Sequence, residues 1–442
     1  MPRPLRLAVV LVAFALVVSG RPADAQTLIR DAEIESTLDR IANPILRAAA
    51  LNPDIVDIYI VKDREMNAFV AGGNNIFLHT GLLRRLETID QLRAVIAHEV
   101  GHITGGHLVR RNAALKGARG VAVLGMLGAA AAAIGGSPEA AVGIAAGSQS
   151  VARRNALAHN RAEEASADQA GLRFAAAAGS DPAAMLEVLR LFRGRDALRL
   201  SRMDPYLRTH PVWSERIALI EERASTLRRG DGSTPEDVYW HARMVAKLDG
   251  FLDEPRRVLR QTTEDGSETA TLARAVGNHR LPDVSSSLAL ADTLIAKRPD
   301  DPFYYELKGQ FLLESGRAEP AAASYRRAVE LAPFEPLILG GLGRALLNTN
   351  DASLLEEARE KLALSARIDG DNPGVLRDLA LAEARLGNEG AAALATAERY
   401  ALTGDFRDAE RNAGRAVDLM PTGSPGWRRA QDVITLSRRA QK

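Results

Sequence analysis

Thr88-Ile89-Asp90-Gln91-Leu92-Arg93-Ala94-Val95-Ile96-Ala97-His98-Glu99-Val100-Gly101-His102 reads as one helix with chemistry on its buried side. Thr88 followed three residues later by Gln91 is a capping-box start. Leu92, Val95, Ile96, Val100 and Ile103 then recur at helical spacing, which predicts a half-buried helix. Within it His98 and His102 stand at i and i+4, so their imidazoles leave the same face about one turn apart and can grip one metal ion. Glu99 points beside that ion. HExxH by itself arises by chance in on the order of one in a hundred chains of this composition, so its weight depends on what surrounds it.

A second segment supplies the context. Asn160-Arg161-Ala162-Glu163 opens a predicted helix that runs through Ala-rich sequence to Gly179 and places Glu164 and Asp168 again at i and i+4. A catalytic zinc takes three protein ligands and leaves one position open. Glu164 is the candidate third ligand, and Asp168 the carboxylate that hydrogen-bonds a ligating imidazole and orients it. Two helices that each present a paired face are much harder to obtain by accident than one motif. The ligand set of two imidazoles and a carboxylate suits zinc, one ion per chain, and is also compatible with other transition metals.

The mature chain divides by composition. Arg228-Arg229-Gly230-Asp231-Gly232-Ser233-Thr234-Pro235 is a polar, glycine-rich linker. It separates a predicted α+β, mostly helical, zincin-like domain with a small β-hairpin sheet (26–229) from an all-α region (235–442). In the first part Ile55 to Lys62 alternates like a strand. Asn67 to Ala71 and Ile76 to His79 flank Gly72-Gly73-Asn74-Asn75 as a hairpin. Asn67, Ala68 and Phe69 are the candidate edge on which an extended peptide could add as a further strand, held by its backbone; an ordinary structural hairpin would carry the same pattern.

In the second part Tyr305, Gly309, Leu312, Ala321, Tyr325, Ala328 and Pro333 fall at the offsets of a tetratricopeptide repeat, a helical pair of about 34 residues. Leu339, Gly343 and Leu346 begin a second unit from Pro336, and Gly390 to Pro421 fits another, with irregular spacing between them. Stacked units of this kind form a solenoid whose curved face commonly binds polypeptide.

Residues 1–25 look like a secretory leader: Arg3 and Arg6, an uncharged apolar run from Leu7 to Gly20, then Ala23-Asp24-Ala25 before Gln26. The run is shorter than the roughly 20 residues of a spanning helix, so a cleaved signal is favoured over an anchor. The expected compartment is the periplasm, with cleavage near Ala25. Zero cysteines rule out a disulfide framework. With 57 basic and 56 acidic residues nothing electrostatic points to nucleic acid. Gly120 to Gly147 is almost wholly apolar, broken at Gly135-Gly136-Ser137-Pro138, and reads as a buried or hinged helical hairpin that could cover the cleft.

The two metal segments, Tyr206-Leu207-Arg208-Thr209-His210-Pro211, the repeats and Gly423-Ser424-Pro425-Gly426-Trp427 together resemble the periplasmic members of the gluzincin metallopeptidases, a group that also contains the HtpX peptidase and the C-a-a-X prenyl proteases. The resemblance runs over essentially the whole mature chain. One departure is visible: Ser166 stands where the group tends to have Glu in Glu-x-Glu-Ala-Asp.

The resemblance implies a zinc endopeptidase acting on misfolded or stalled outer-membrane proteins, with the repeats contacting unfolded or misassembled polypeptide or the outer-membrane protein assembly machinery. A chaperone or assembly scaffold with a latent site is the alternative. Zinc on His98, His102 and Glu164 would bring the pKa of its water to about 7, with Glu99 as general base. His210 and Tyr206 are candidates for oxyanion donor, and His210 is alternatively a resting-state ligand that must leave or a structural residue. His107, five residues past His102, is rotated about 140° on a continuous helix and so points away from that metal.

Overall fold

The computed structural model describes residues 28–110, 161–196, 210, 214–227 and 232–441. The leader, the apolar stretch 120–147, His159, Tyr206 and residues 228–231 of the linker lie outside them. The architecture is mostly helical with one small sheet.

The sheet contains β1 (Leu28–Ile29), β2 (Ile58–Val61), β3 (Ala68–Ala71) and β4 (Asn75–His79) in the order β1-β2-β4-β3. β2 and β4 run parallel, with Ile60 opposite Leu78; β3 returns antiparallel on β4, with Phe69 opposite Phe77. Gly72 (φ 60°) and Gly73 (φ 104°) make the turn, a left-handed pair that side chains with a Cβ rarely adopt. β3 is therefore an outer strand, as the pattern predicted. The strand expected from Ile55 is shorter. Asn52 caps a 3-10 turn over Pro53–Ile55, and Pro53 at its first position favours that turn over extension of the ladder.

Around the sheet lie α1 (Ala32–Ala48), a short α2 (Thr80–Leu83), α3 (Ile89–Thr104), α4 (residues 161–177), α5 (Ala183–Asp196) and α6 (Ser214–Thr226). α3 is capped as expected: Thr88 Oγ1 accepts from the Gln91 amide at 3.2 Å. Gln91 departs from a full capping box, its side chain accepting instead from the Glu87 amide at 2.8 Å. Leu92, Val95, Ile96 and Val100 are buried in one core with Leu38, Ile41 and Ile45 of α1 and Leu172 of α4. α3 and α4 cross at glycine. A Cβ on Gly101 would come 2.5 Å from the Ala167 carbonyl oxygen, and one on Gly171 would come 3.0 Å from the Ala97 carbonyl. The backbones thus approach as closely as the ligand pairs on both helices require.

From Pro235 the chain is helical: α7 (Pro235–Leu252), α8 (Pro255–Thr262), α9 (Glu268–Arg280), α10 (Val284–Lys297), α11 (Pro302–Glu314), α12 (Ala318–Leu331), α13 (Pro336–Asn348), α14 (Leu355–Ile368), α15 (Pro373–Arg385), α16 (Glu389–Leu402), α17 (Phe406–Leu419) and α18 (Pro425–Ala440). Consecutive helices pack in pairs, the stacking of a tetratricopeptide solenoid. Ala321, Tyr325 and Ala328 are buried as the repeat register demands, and a Cβ on Gly309 would come 2.7 Å from the Tyr325 ring. A 3-10 turn over Ala352–Leu354 lengthens the unit that begins at Pro336, which is why the spacing after it drifts.

The two halves share their interior. Met244 and Leu248 of α7 join the core of the sheet-bearing half, whereas Ala32 of α1 packs among repeat residues such as Phe303, Tyr325 and Ile338. Charges cross as well: Lys247 lies 2.9 Å from Asp31 and 3.2 Å from Glu33, Arg243 lies 2.5 Å from Glu33, and Arg30 reaches Asp369 at 2.7 Å.

Candidate metal centre

α3 delivers His98 and His102, α4 delivers Glu164, and a segment more than forty residues later delivers His210; all four are buried. Their donor atoms lie within 4.8 Å of one another. His98 Nε2 is 3.1 Å from His102 Nε2 and 3.2 Å from His210 Nδ1. Glu164 Oε1 lies 3.1 Å from His210 Nδ1 and 3.4 Å from His102 Nε2, and its Oε2 lies 3.4 Å from His98 Nε2. Four ligands on a tetrahedral ion at 2.0–2.1 Å are separated by roughly 3.3 Å along each edge. The donor set fits an ion of that size.

His98 Nδ1 faces Asp168 Oδ1 at 2.9 Å, so in the neutral ring the proton sits there and Nε2 presents a lone pair to the other donors. Burial depresses His98, but Asp168 and Glu164 outweigh it and push the imidazole up to about 9. Burial pushes His102 down to about 3, since Glu164 opposes it only partly and the neighbouring histidines add to it. Glu164 is itself held well below the usual carboxylate range: burial would raise it, and His210, His102 and His98 outweigh that. The pocket therefore accepts positive charge at one point among the donors, and a single central cation would serve all four.

Glu99 is fully buried, and neither carboxylate oxygen makes a hydrogen bond among the described residues. His210 Nε2 lies 3.7 Å from Glu99 Oε1. A buried carboxylate without a hydrogen-bond partner is costly for a fold and useful to a reaction that needs a base.

Asp168 stands where the spacing placed it, on His98. A residue that the sequence reading did not single out holds it there. Arg216 of α6, 2% exposed, grips Asp168 through Nε at 2.6 Å and Nη2 at 2.8 Å, and reaches Glu164 Oε2 through Nη1 at 3.0 Å. Burial would raise Asp168, yet Arg216 and His98 hold it below its ordinary value. The available signal was an arginine on the same face of α6 as the buried Ile217 and Ile220.

The candidate edge residues are not at the donor cluster. Asn67 and Ala68 bury their side chains and Phe69 stacks on Phe77 with ring centroids 5.1 Å apart, so what β3 offers on its outer side is backbone. α3 packs against β3, which puts that edge beside the metal helix. His107 stays out of the donor cluster, as expected, but not for the expected reason. α3 ends at Thr104, Gly105 and Gly106 (φ 63°) turn the chain, and His107 folds back to place its Nδ1 2.8 Å from His102 Nδ1. The 140° rotation assumed a continuous helix, and the glycine pair breaks it.

Residues 29–224, the part of the chain that carries the donor cluster, match the model of Peptidase family M48, a likeness that supports a metalloprotease. The chain as a whole is similar to the beta-barrel assembly-enhancing protease of Escherichia coli O157:H7, with 27% identity over 383 residues, 83% of this chain and 75% of the relative. The beta-barrel assembly-enhancing protease of Shigella flexneri is 26% identical over 83% of this chain and 75% of its own length. A shorter match, 36% identical over 67 residues, 14% of this chain and 22% of the relative, joins it to the protease HtpX of a Psychrobacter strain.

Proposed function

We propose that this protein is an exported zinc-dependent endopeptidase of the periplasm, acting on misfolded or stalled outer-membrane proteins. Its leader (1–25) would be removed near Ala25, its peptidase domain would span 26–229 and its repeat domain 235–442. The observation that carries the reading is the convergence of four buried donors within 4.8 Å of one another, beside a carboxylate with no hydrogen-bond partner among the described residues. His98, His102 and Glu164 would hold one zinc ion. Zinc in such a site supplies an acidified water and polarises the carbonyl under attack. Glu99 takes the proton of the attacking water and passes it to the leaving amine. The outer edge of β3 holds an extended stretch of substrate through its backbone, which suits substrates that share unfolding more than sequence. Asp168 fixes the tautomer of His98, and Arg216 fixes Asp168 and Glu164.

His210 has a particular part. Its Nδ1 stands at the fourth corner of the donor set, where water and substrate would have to enter. That placement favours a resting-state contact that withdraws before catalysis over a donor to the oxyanion. It also supports the second reading, a chaperone or assembly scaffold with a latent peptidase site.

Digestion of an unfolded protein such as casein by residues 26–442, run beside Glu99→Gln, tests the proposal. Cleavage by the parent protein and loss of about 10²–10⁴-fold in Glu99→Gln with metal retained is expected. Equal cleavage by both would sink the assignment of Glu99. If neither cleaves, recovery of activity in His210→Ala would place the protein under the latent reading.

A further inference from the structure

The two ligating histidines are anchored differently. His98 has a carboxylate behind it, Asp168, itself gripped by Arg216. His102 turns its Nε2 to the donor cluster and its Nδ1 away from it, and the hydrogen-bond partner of that outer nitrogen among the described residues is His107 Nδ1 at 2.8 Å. The two rings stand nearly perpendicular, 80° apart with centroids 4.8 Å from each other, and meet edge to edge through these nitrogens.

The proton can be placed. For His102 to present a lone pair inward, its Nδ1 must carry the hydrogen. His107 Nδ1 then has to accept it, which leaves the His107 proton on Nε2, a buried atom with no partner among the described residues. His107 is 2% exposed, so its ring is held in place beside His102. The turn is shaped for this contact. Gly106 at φ 63° reverses the chain, and the His107 ring lies over Gly105 so closely that a Cβ there would come 2.8 Å from both Cδ2 and Cε1.

We propose that His107 is the positioning residue of His102: by accepting the Nδ1 proton it fixes the tautomer and ring angle with which His102 faces the metal, with the Gly105-Gly106 turn built to bring it back. This rests on the metal reading of His98, His102 and Glu164. Because a neutral imidazole is a weaker partner than a carboxylate, His102 is the less firmly held of the two histidines, and small changes at the turn reach the metal through it.

Zinc affinity of the full-length protein, measured by competition with a chromophoric chelator, tests the proposal without recourse to activity. His107→Ala should weaken zinc binding by about 10–100-fold. His107→Asn, whose Oδ1 can stand in for Nδ1 as acceptor, should recover most of that loss. Gly105→Ala should weaken binding in the parent protein and add nothing in the His107→Ala background, where no ring remains for the new Cβ to displace. Unchanged affinity in His107→Ala overturns the proposal. So does an Asn variant as weak as Ala, because the ring would then serve only as packing. A parent protein that binds no zinc fails the metal reading itself, a separate result.

Discussion

Two of the groups of buried charge among the described residues make a contrast, one between α3, α4 and His210, the other where α7 and α11 meet the start of α1. The second brings its own cations: Arg243 and Lys247, both fully buried, face Asp31, Glu33, Asp301 and Glu306. The first has one, Arg216, and it sits behind the carboxylates, gripping Asp168 and the outer side of Glu164. In front, three imidazole nitrogens and a carboxylate converge, all within 4.8 Å of one another. Buried ligand atoms of three histidines and a carboxylate that converge on one point mark a place for an ion. Buried acids with their own lysine and arginine mark a joint between parts of the fold.

That contrast can be broken experimentally. Arg216→Met and Lys247→Met each leave buried carboxylates unpaired and should cost about 3–5 kcal/mol in urea unfolding. Zinc should restore part of the loss in Arg216→Met and none in Lys247→Met; equal rescue would erase the distinction. In the parent protein, zinc at about 100 times its dissociation constant should add about 2.7 kcal/mol, lost on chelation. His98→Ala should abolish that increment, whereas Lys247→Met should keep it.

Gly101→Ala tests the crossing that brings both ligand pairs together. Its Cβ would meet the Ala167 carbonyl oxygen at 2.5 Å, so a cost of about 1–3 kcal/mol is expected, with weaker zinc binding as the helices part. Stability loss with unchanged zinc affinity would mean that the site tolerates the shift.

The smallest effect belongs to the joint. Glu306, buried beside Lys247, Asp31 and Glu33, is pushed up to about 7 by burial, which Lys247 only partly offsets, from an ordinary 4.5. Between those values the native protein binds more protons than the unfolded chain. Its contribution is therefore complete below about pH 4.5 and is lost as pH rises through 7. The parent protein should lose stability relative to Glu306→Gln as pH rises from about 4.5 to about 7, by no more than about 1.4 kcal/mol per pH unit, and the difference should level off above that. Parallel pH profiles of the two would exclude this role for Glu306.

What could be read in advance followed the length of each element. His98 and His102, or Glu164 and Asp168, share a face because four residues of helix make about one turn, and any chain with that spacing places them so. Gly72-Gly73 announced its hairpin for a similarly local reason, the left-handed φ that a tight turn needs. Arg216 escaped notice because its partners lie 48 and 52 residues earlier, and a charged residue on an apolar helix face has no local signature of whom it will meet. His107 lies outside the donor set as expected, but its contact with His102 was not legible, because two consecutive glycines end a helix that the histidine spacing assumed would continue.

The sequence by itself therefore determined the helix faces, the hairpin, the repeat register and the ligand types, all of which depend on backbone periodicity and local turn chemistry. Only the tertiary structure decided that α3 and α4 touch at Gly101 and Gly171, that His210 closes the donor set, that Arg216 stands behind it, and that the repeats take the start of α1 into their interior. Those outcomes depend on close packing between segments far apart in the chain, and packing is settled by shape and charge in three dimensions, which spacing along one does not encode.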